Sequence, residues 1–385
     1  MYFTSFIIFN ILAEDMQKNL HDKPFDEGTI TKLNIFEAYA KAWLPTFIMN
    51  VHEPNIYIFD LFAGPGYSIT RQEGSAIRLM KQINNQIGNI FIKKKKVFIL
   101  FNELDKEKAK ALKQSCDAYI ESHTHFKRAI ESKLINIKIL QVDVAELYPR
   151  IKPYIGKFPL LLFFDQNGIK FMADEYFLPL LTAKKVDFLF YLSSSYFIRF
   201  GKTEEFRNVI DIDIDKAKQS PYKCIHRRIL DQLRLKIPKN SQTRLYPFTI
   251  KKGSNVYGII FGASHPLAVE KFLKAAWQEN NINGEANFDI DDDANKGQPN
   301  LFGDCELTKI MKFNHDIREA IINRKVKTNK DAYDFALNHG HLPMHAANEI
   351  KQMRKEKIIN YFGRSPCVTY EKAYKNKIII EYQVL

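Results

Sequence analysis

The segment NIYIFDLFAGPG, residues 55–66, decides the fold class. Its first half is a short apolar run typical of a buried strand, and its second half is a turn rich in glycine and proline. In a doubly wound sheet such a strand ends at the ligand-binding edge, where it places Asp60. Gly64 and Gly66 allow a tight turn with no Cβ facing a bound molecule. The pattern predicts an S-adenosylmethionine pocket, with an ordinary tight turn as the alternative.

Four more apolar runs downstream predict further strands, at residues 97–101, 135–142, 160–164 and 188–192. Helical patterns alternate with them, which indicates βαβ units and a parallel sheet. The runs are continuously apolar, as expected for strands covered by helices on both faces. Two later runs, at 245–250 and 256–261, predict an antiparallel hairpin that completes the sheet. The predicted fold class is therefore α/β, with a doubly wound, mostly parallel, Rossmann-like methyltransferase sheet.

Before this sheet, apolar residues at helical spacing predict an amphipathic helix that begins near Thr31 and stops before Pro45. Asp105 is expected to be the N-cap of a helix after the second strand. His265, which directly precedes Pro266, is also expected to cap a helix rather than to act as a base.

Composition and charge limit the functional classes. The 385 residues include 57 Lys and Arg against 44 Asp and Glu, for a net charge of +13. This balance favours polyanions or acidic protein surfaces as partners, although a lysine-rich proteome accounts for it equally well. The 4 cysteines are far apart and match neither a zinc site nor a disulfide framework. The cysteine pattern therefore predicts no metal site and a cytoplasmic protein. No membrane span is expected, because the apolar run at residues 2–13 is too short to cross a bilayer.

We divide the chain into an N-terminal extension (1–30), a methyltransferase-like domain (31–280), a polar linker (281–305) and a basic C-terminal domain (306–385). A charged segment at about 197–240 is expected to be a helical insertion in the second of these.

The C-terminal domain has the pattern of a winged helix-turn-helix. A helix at 331–338, a turn at Gly340, a helix at 345–357 and a strand at 378–382 are predicted. The second helix would turn its apolar positions inward. It would then present three basic side chains to nucleic acid, those of Lys351, Arg354 and Lys355. The alternative role for this domain is packing or dimerisation.

Acidic side chains after the next strands extend the predicted cofactor pocket. Glu103 follows the second strand, where an acid can accept both ribose hydroxyls. Asp143 follows the third strand and is expected either to accept from an adenine amino group or to cap a short helix. Phe62, inside the turn, is assigned to the same pocket.

The fourth strand ends in DQNG, residues 165–168, beside the expected position of the transferred methyl group. Asp165 and Gln166 are the candidate catalytic residues, since an acid and an amide can hold an acceptor amino group with its lone pair towards the methyl. Asn167 is a candidate substrate contact. The alternative is turn chemistry, which Asp and Asn-Gly also favour.

Ser193, Ser195 and Arg199 follow the fifth strand and are candidate substrate-binding residues in the same crevice. The alternative for the serines is that their hydroxyls satisfy backbone groups. Arg199 could bind a phosphate or a carboxylate, whereas a lone arginine is more often part of a surface ion pair. No serine, histidine and acid combination predicts a hydrolase, and no GxxxxGK[ST] motif predicts a phosphate-binding loop.

These motifs together resemble the three-Cys-motif partner protein family, TcmP. The resemblance rests on PFDEGTITKLNIFEAYAKAWLP (24–45), YIFDLFAGPG (57–66), GSA (74–76), LFFDQNGIKFM (162–172), FLFYLSSSYFIRF (188–200), YGIIFGASHPLAVEKFLKAAW (257–277) and the helix-turn-helix around His345. It covers nearly all of the chain beyond about residue 22. It implies a class I methyltransferase fold, S-adenosylmethionine as cofactor and a partner protein that bears a three-cysteine motif.

The chain departs from the family at the fourth strand. Gln166 and Asn167 stand where related sequences carry proline and an aromatic residue. Loss of the aromatic removes a stacking surface for a flipped base, which weighs against methylation of a nucleobase amino group.

Two functions are compatible with these observations. The first is an active methyltransferase that acts on nucleic acid or on a partner protein. The second is a non-catalytic adaptor with a methyltransferase fold that binds nucleic acid or the three-cysteine-motif partner. We favour the first because the glycine turn, Glu103 and Asp165 agree with it. The sequence leaves the methyl acceptor and the oligomeric state open.

Overall fold

The computed structural model describes residues 24–166, 169–210, 212–297 and 306–385. The chain divides into two compact units, Met1–Ser264 and His265–Leu385. The N-terminal extension predicted at 1–30 lies outside the described residues up to residue 23.

The N-terminal unit alternates strands with helices in chain order. Its elements are α1 (Glu27–Ile48), β1 (Asn55–Asp60), α2 (Ser75–Asn84), α3 (Ile87–Lys93), β2 (Lys96–Asn102), α4 (Lys106–Ser122), α5 (Thr124–Glu131), β3 (Ile135–Leu140), α6 (Val144–Ile151), β4 (Leu160–Asp165), α7 (Asp174–Thr182), β5 (Val186–Leu192), α8 (Ser194–Phe200), α9 (Glu204–Val209), α10 (Ile214–Lys218), α11 (Ile225–Arg234), β6 (Arg244–Lys252) and β7 (Asn255–Ala263).

The strands form one seven-stranded sheet in the order β3-β2-β1-β4-β5-β7-β6. Strands β1 to β5 are parallel, and β7 runs antiparallel to both β5 and β6. The central strands are buried along almost their whole length, as their continuous apolar sequences predict. A mostly parallel α/β sheet with an antiparallel hairpin is therefore confirmed.

The strand order reverses between β1 and β4. From β1 the chain builds outward through β2 and β3, then returns to place β4 on the other side of β1. The connections after β1 and β4 thus leave the sheet in opposite directions and open a crevice at the carboxyl ends of these strands. Ligands of open α/β sheets bind at such a switch point. Asp60 is the last residue of β1 and Asp165 the last of β4.

Helix α1 is longer than predicted at both ends. It begins after Asp26, whose carboxylate accepts from the Thr29 N–H, and it runs through Pro45 to Ile48. The prediction that it stops before Pro45 is wrong. Proline removes a single hydrogen bond there, whereas Leu44 and Ile48 on either side are fully buried. Packing therefore outweighs the local preference.

The segment predicted as a helical insertion is helical, and it forms part of the core. Helices α8 to α11 contribute Phe197, Ile214, Ile229 and Leu233 to the apolar cluster that also contains β4 and β5. Charged residues on the outer faces of these helices account for the composition that the sequence shows.

The C-terminal unit contains α12 (Pro266–Glu279), α13 (Lys309–Ile322), α14 (Asn329–Asn338), α15 (Pro343–Lys355), β8 (Ile359–Asn360) and β9 (Gln383–Val384). Strands β8 and β9 pair antiparallel. Ala346, Ile350 and Met353 of α15 are buried, as predicted. The strand predicted at 378–382 is wrong, because the pairing lies at β9. The backbone before it forms an isolated antiparallel bridge at Glu381 with Thr328. The Asn329 side chain also accepts from Ile380 N–H and donates to Ile378 C=O.

The division between the units falls at Ser264, earlier than the domain boundary expected at residue 280. Helix α12 packs with the C-terminal helices: Trp277 Nε1–H donates to Gly340 C=O at 3.0 Å, and Tyr333 O–H donates to Glu270 at 2.7 Å. The first part of the expected linker is also folded into this unit, since Asn283 is fully buried and donates to Phe288 C=O. Residues 298–305 of that linker lie outside the described residues.

Within the described ranges, every helix is too short or too polar to cross a lipid bilayer.

Candidate active site

The turn after β1 is organised by Asp60. Its Oδ1 accepts from Phe62 N–H at 3.2 Å, and its Oδ2 accepts from Ser75 Oγ–H at 2.5 Å. The residue has 0% exposure, and this burial raises the pKa of its carboxyl group to about 7. The structure therefore places Asp60 beneath the turn as its internal brace, with no surface available for direct contact with a ligand.

Glycines in the turn meet steric requirements at two positions. Gly64 and Gly66 have φ values of 63° and 88°, in the region that glycine occupies without strain. A Cβ on Gly66 would lie 2.8 Å from Ser115 Cβ of α4. Gly66 thus allows the turn to pack on a helix, whereas the sequence suggested clearance for a cofactor. Phe62 is half-buried and its ring lies 5.6 Å from that of Phe171.

Glu103 joins the ends of β1 and β2. Its Oε2 accepts from Gly64 N–H and its Oε1 from Asp105 N–H, both at 3.0 Å. Partial burial is the largest influence on this carboxyl group and raises its pKa. A carboxylate has about four acceptor positions, so two remain beyond these bonds. The side chain is half-buried beside the glycine turn, and its ribose-binding role stays a prediction.

Asn102 also connects strand ends and was not predicted as part of the site. Its Nδ2 donates to Leu61 C=O at 3.2 Å and to Val142 C=O at 2.9 Å, and its Oδ1 accepts from Val142 N–H. The side chain thereby holds together the loops that follow β1 and β3. A polar residue at the end of an otherwise apolar strand was the only sequence signal.

On the other side of β1, Asp165 forms an ion pair with Lys32 of α1 through Oδ2. The Lys32 Nζ also lies 4.4 Å from the centroid of the Tyr191 ring. Side-chain exposure is 10% for Lys32 and 21% for Asp165, so the pair is largely withdrawn from water but still open to the crevice. Lys32 was not singled out from the sequence because it lies 133 positions from Asp165.

Gln166 follows Asp165 and is 2% exposed. Its Oε1 accepts from Phe171 N–H at 3.0 Å, which shapes the loop after β4. Its Nε2 is buried and contacts no acceptor in the described part of the chain. The predicted substrate contact Asn167 lies outside the described residues.

Asp143 caps α6, which is the second of the two roles that the sequence predicted for it. Its Oδ1 accepts from Ala145 N–H at 2.7 Å and lies 3.7 Å from Lys170 Nζ. The predicted N-cap roles of Asp105 and His265 are likewise confirmed, since Asp105 accepts from Lys108 N–H and His265 from Leu267 N–H.

The residues after β5 are mostly engaged in the fold. Ser195 Oγ accepts from Val256 N–H at 2.8 Å and donates to Val256 C=O at 3.1 Å, which ties α8 to β7. Arg199 donates to the Asn255 side chain at 2.8 Å on the surface. Ser193 is half-buried at the start of α8. The structure thus gives Ser195 and Arg199 partners within the protein.

In the C-terminal unit, Lys351 and Lys355 are exposed, as predicted. Arg354 is half-buried, contrary to its predicted outward position. Its guanidinium lies 4.3 Å from the centroid of the Tyr361 ring and donates to Gly363 C=O at 2.7 Å. The planar group is therefore held by the loop that follows β8.

The polar groups near the switch point lie on both sides of the glycine turn. Glu103 retains acceptor capacity for hydroxyl groups, and the glycine turn separates it from the Lys32–Asp165 pair. Across the described residues, no cluster of three or more His, Cys, Asp or Glu side chains has the geometry to hold a metal ion. Comparisons of the chain with models of protein families and with curated proteins gave no match.

Proposed function

We propose that this protein is an S-adenosylmethionine-dependent methyltransferase of the three-Cys-motif partner type. The observation that carries the proposal is the meeting of three acids at the switch point. Asp60 and Asp165 end the neighbouring strands β1 and β4, and Glu103 follows β2 on the other side of β1. The glycine turn bonds to Asp60 and to Glu103. Ligand sites of doubly wound sheets are built at this position.

The cofactor would be held by groups on the β1 and β2 side of the crevice. Glu103 would accept hydrogen bonds from the ribose hydroxyls with the lone pairs that Gly64 and Asp105 leave unused. Asp143, at the end of the loop after β3, would lie towards the adenine. Asp60 would act through the turn that it braces, because its own carboxylate is covered.

S-adenosylmethionine supplies an activated methyl group when bound, so the protein has mainly to orient the acceptor and exclude water. Asp165 suits the first task. Lys32 contacts Asp165 Oδ2, and Asp165 Oδ1 meets no donor among the described residues. Oδ1 can therefore accept a hydrogen bond from the amino group of the molecule to be methylated. Gln166 would support this geometry through the loop that it fixes with Phe171 N–H. Ser193, at the same edge, is the remaining candidate contact.

The resemblance to TcmP also supports this function, since it includes segments outside the crevice, such as residues 257–277. The doubly wound sheet with an antiparallel hairpin at its edge is the arrangement that a class I methyltransferase fold requires. On this proposal the chain works with a partner that bears a three-cysteine motif, in the cytoplasm. The methyl acceptor would belong to that partner or to a nucleic acid.

We also propose that residues 306–385 form a winged helix that contacts nucleic acid. Helices α14 and α15 are joined by a short turn in which Gly340 has a φ of 71°, and the β8–β9 pair follows them. Exposed Lys351 and Lys355 on α15 supply positive charge. If the first unit proves inactive, this surface would support the alternative function of a non-catalytic adaptor.

Binding of S-adenosylmethionine measured by isothermal titration calorimetry tests the main proposal. The native protein should bind, and Glu103→Ala should weaken the affinity by roughly a hundredfold, because two hydrogen bonds to a charged acceptor are lost. Glu131→Ala is the matched control, since this exposed acid ends α5. Equal affinities for native protein and Glu103→Ala would contradict the assignment of the pocket. Absence of binding by the native protein would favour the adaptor.

A further inference from the structure

Lys32 is a buried cation at the edge of the crevice. It extends from α1, which precedes the sheet in the chain, to the carboxyl end of β4. Its Nζ contacts Asp165 Oδ2 and the Tyr191 ring, and no other acceptor contacts it in the described ranges. An ammonium group has three N–H donors and loses much hydration on burial. One carboxylate oxygen and one ring face leave part of this donor capacity unused.

The covered position of Asp60 makes this capacity relevant. A cofactor with an amino-acid end brings a carboxylate and an ammonium group into the crevice. Asp60, the predicted pocket acid at the end of β1, has no exposed surface. Lys32 and Asp165, at the end of β4, are charged groups that keep side-chain exposures of 10% and 21%.

The order of the strands determines which end of a ligand meets which group. Along the sheet edge, Glu103 follows β2, the glycine turn follows β1, and Asp165 ends β4. Lys32 reaches Asp165 from α1. Adjacent strands are about 4.8 Å apart, so β2 and β4 are separated by about 10 Å. A ribose held at Glu103 would then lie about 10 Å from the end of β4, a distance that a substituent at its 5′ position can span towards Lys32.

We propose that Lys32 binds the carboxylate of the amino-acid end of the cofactor, and so makes the crevice selective for nucleosides that carry an α-amino acid. The proposal rests on the proposed function and deepens it. Lys32 keeps its contact with Asp165 Oδ2 and uses its other N–H donors for the ligand. A positive charge at this point also offsets the charge of Asp165, so an anionic group can enter.

A thermodynamic cycle between Lys32 and the ligand carboxylate tests this role. The probes are S-adenosylhomocysteine and its decarboxylated analogue, which retains the amine and the nucleoside. Calorimetry compares both probes on native protein, Lys32→Met and Lys32→Arg. Lys41→Met is the matched control, because Lys41 lies exposed on the same helix. The comparison of two probes on native protein needs no variant, so it remains decisive if Lys32→Met does not fold.

The native protein should bind S-adenosylhomocysteine about tenfold to a hundredfold more tightly than the decarboxylated analogue. Lys32→Met should abolish this preference, Lys32→Arg should keep much of it, and Lys41→Met should not change it. Equal binding of the two probes by native protein would overturn the proposal, as would a preference that persists in Lys32→Met. If native protein binds neither probe, the proposed function itself fails, and the assignment of Lys32 fails with it.

Discussion

The substitution Asp60→Asn should remove a pH-dependent loss of stability from the N-terminal unit. The buried carboxyl of Asp60 has its pKa raised from 3.8 to about 7. Between these values the unfolded state binds fewer protons than the folded state, so the free energy of unfolding falls as pH rises. The stabilising contribution of the protonated Asp60 carboxyl is fully present below about pH 3.8 and is lost as the pH rises through 7. A shift of about three pKa units corresponds to about 4 kcal/mol, of which roughly 3 kcal/mol falls between pH 5 and pH 9.

Asparagine preserves the local contacts of Asp60. Its Oδ1 can still accept from Phe62 N–H, and its Nδ2 can donate to Ser75 Oγ, which replaces the hydrogen bond observed with the opposite direction. The substitution therefore removes the titration without creating a cavity. We compare the free energy of unfolding of the variant with that of the native protein at each pH. This difference should shift in favour of the variant by roughly 3 kcal/mol from pH 5 to pH 9, which is about 6–12 °C in thermal midpoint for a unit of this size.

The assay is thermal unfolding at pH 5 and pH 9 followed by tryptophan fluorescence. Of the 2 tryptophans, Trp43 belongs to the N-terminal unit and Trp277 to the other, so a Trp277→Phe background isolates the transition of interest. Asp117→Asn is the matched control, because Asp117 is exposed on α4 and should follow the native protein at both pH values. A difference between Asp60→Asn and native protein that is the same at pH 5 and pH 9 would refute the reasoning from burial.

Two further predictions concern the C-terminal unit. His341 is buried beside His345, and burial lowers its pKa to about 2. Its contribution to stability is therefore present above pH 6.5 and is lost as pH falls. From pH 6.5 to pH 4.5, the free energy of unfolding of the native unit should fall by roughly 3 kcal/mol more than that of the His341→Gln variant. Thermal midpoints that fall equally with pH in the two proteins would contradict this. The double charge reversal Lys351→Glu with Lys355→Glu should weaken binding to duplex DNA or RNA and make it less dependent on salt. Unchanged binding and an unchanged salt slope would favour a packing or dimerisation role.

The site was predictable where its residues are neighbours of a strand end. Asp60, Glu103 and Asp165 each follow an apolar run, so their shared edge follows from the parallel sheet alone. The contacts of these acids were not predictable to the same degree. Asp60 proved to brace the turn, and Ser195 proved to join α8 to β7. Both outcomes depend on which polar groups approach after packing, and hydrogen-bond partners distant in sequence leave no local signal.

Errors in the predicted elements have a related origin. The helix that runs through Pro45 and the backbone near Ile378 that bonds to Asn329 both depart from local preference. Apolar burial outweighs the cost of proline in the first case. In the second, the segment pairs with the backbone only at an isolated bridge to Thr328, and the buried Asn329 amide satisfies the backbone groups of Ile378 and Ile380. In each, a tertiary contact overrode the tendency of the segment by itself.

The sequence by itself determined the fold class, the order of strands and helices, and the acids that meet at the switch point, because apolar periodicity and glycine turns are local properties. Only the tertiary structure brought Lys32 to Asp165 across 133 positions, covered the Asp60 carboxylate, and joined helix α12 to the C-terminal unit. Those outcomes depend on which surfaces lose water when the helices close on the sheet, and that requires the whole chain at once.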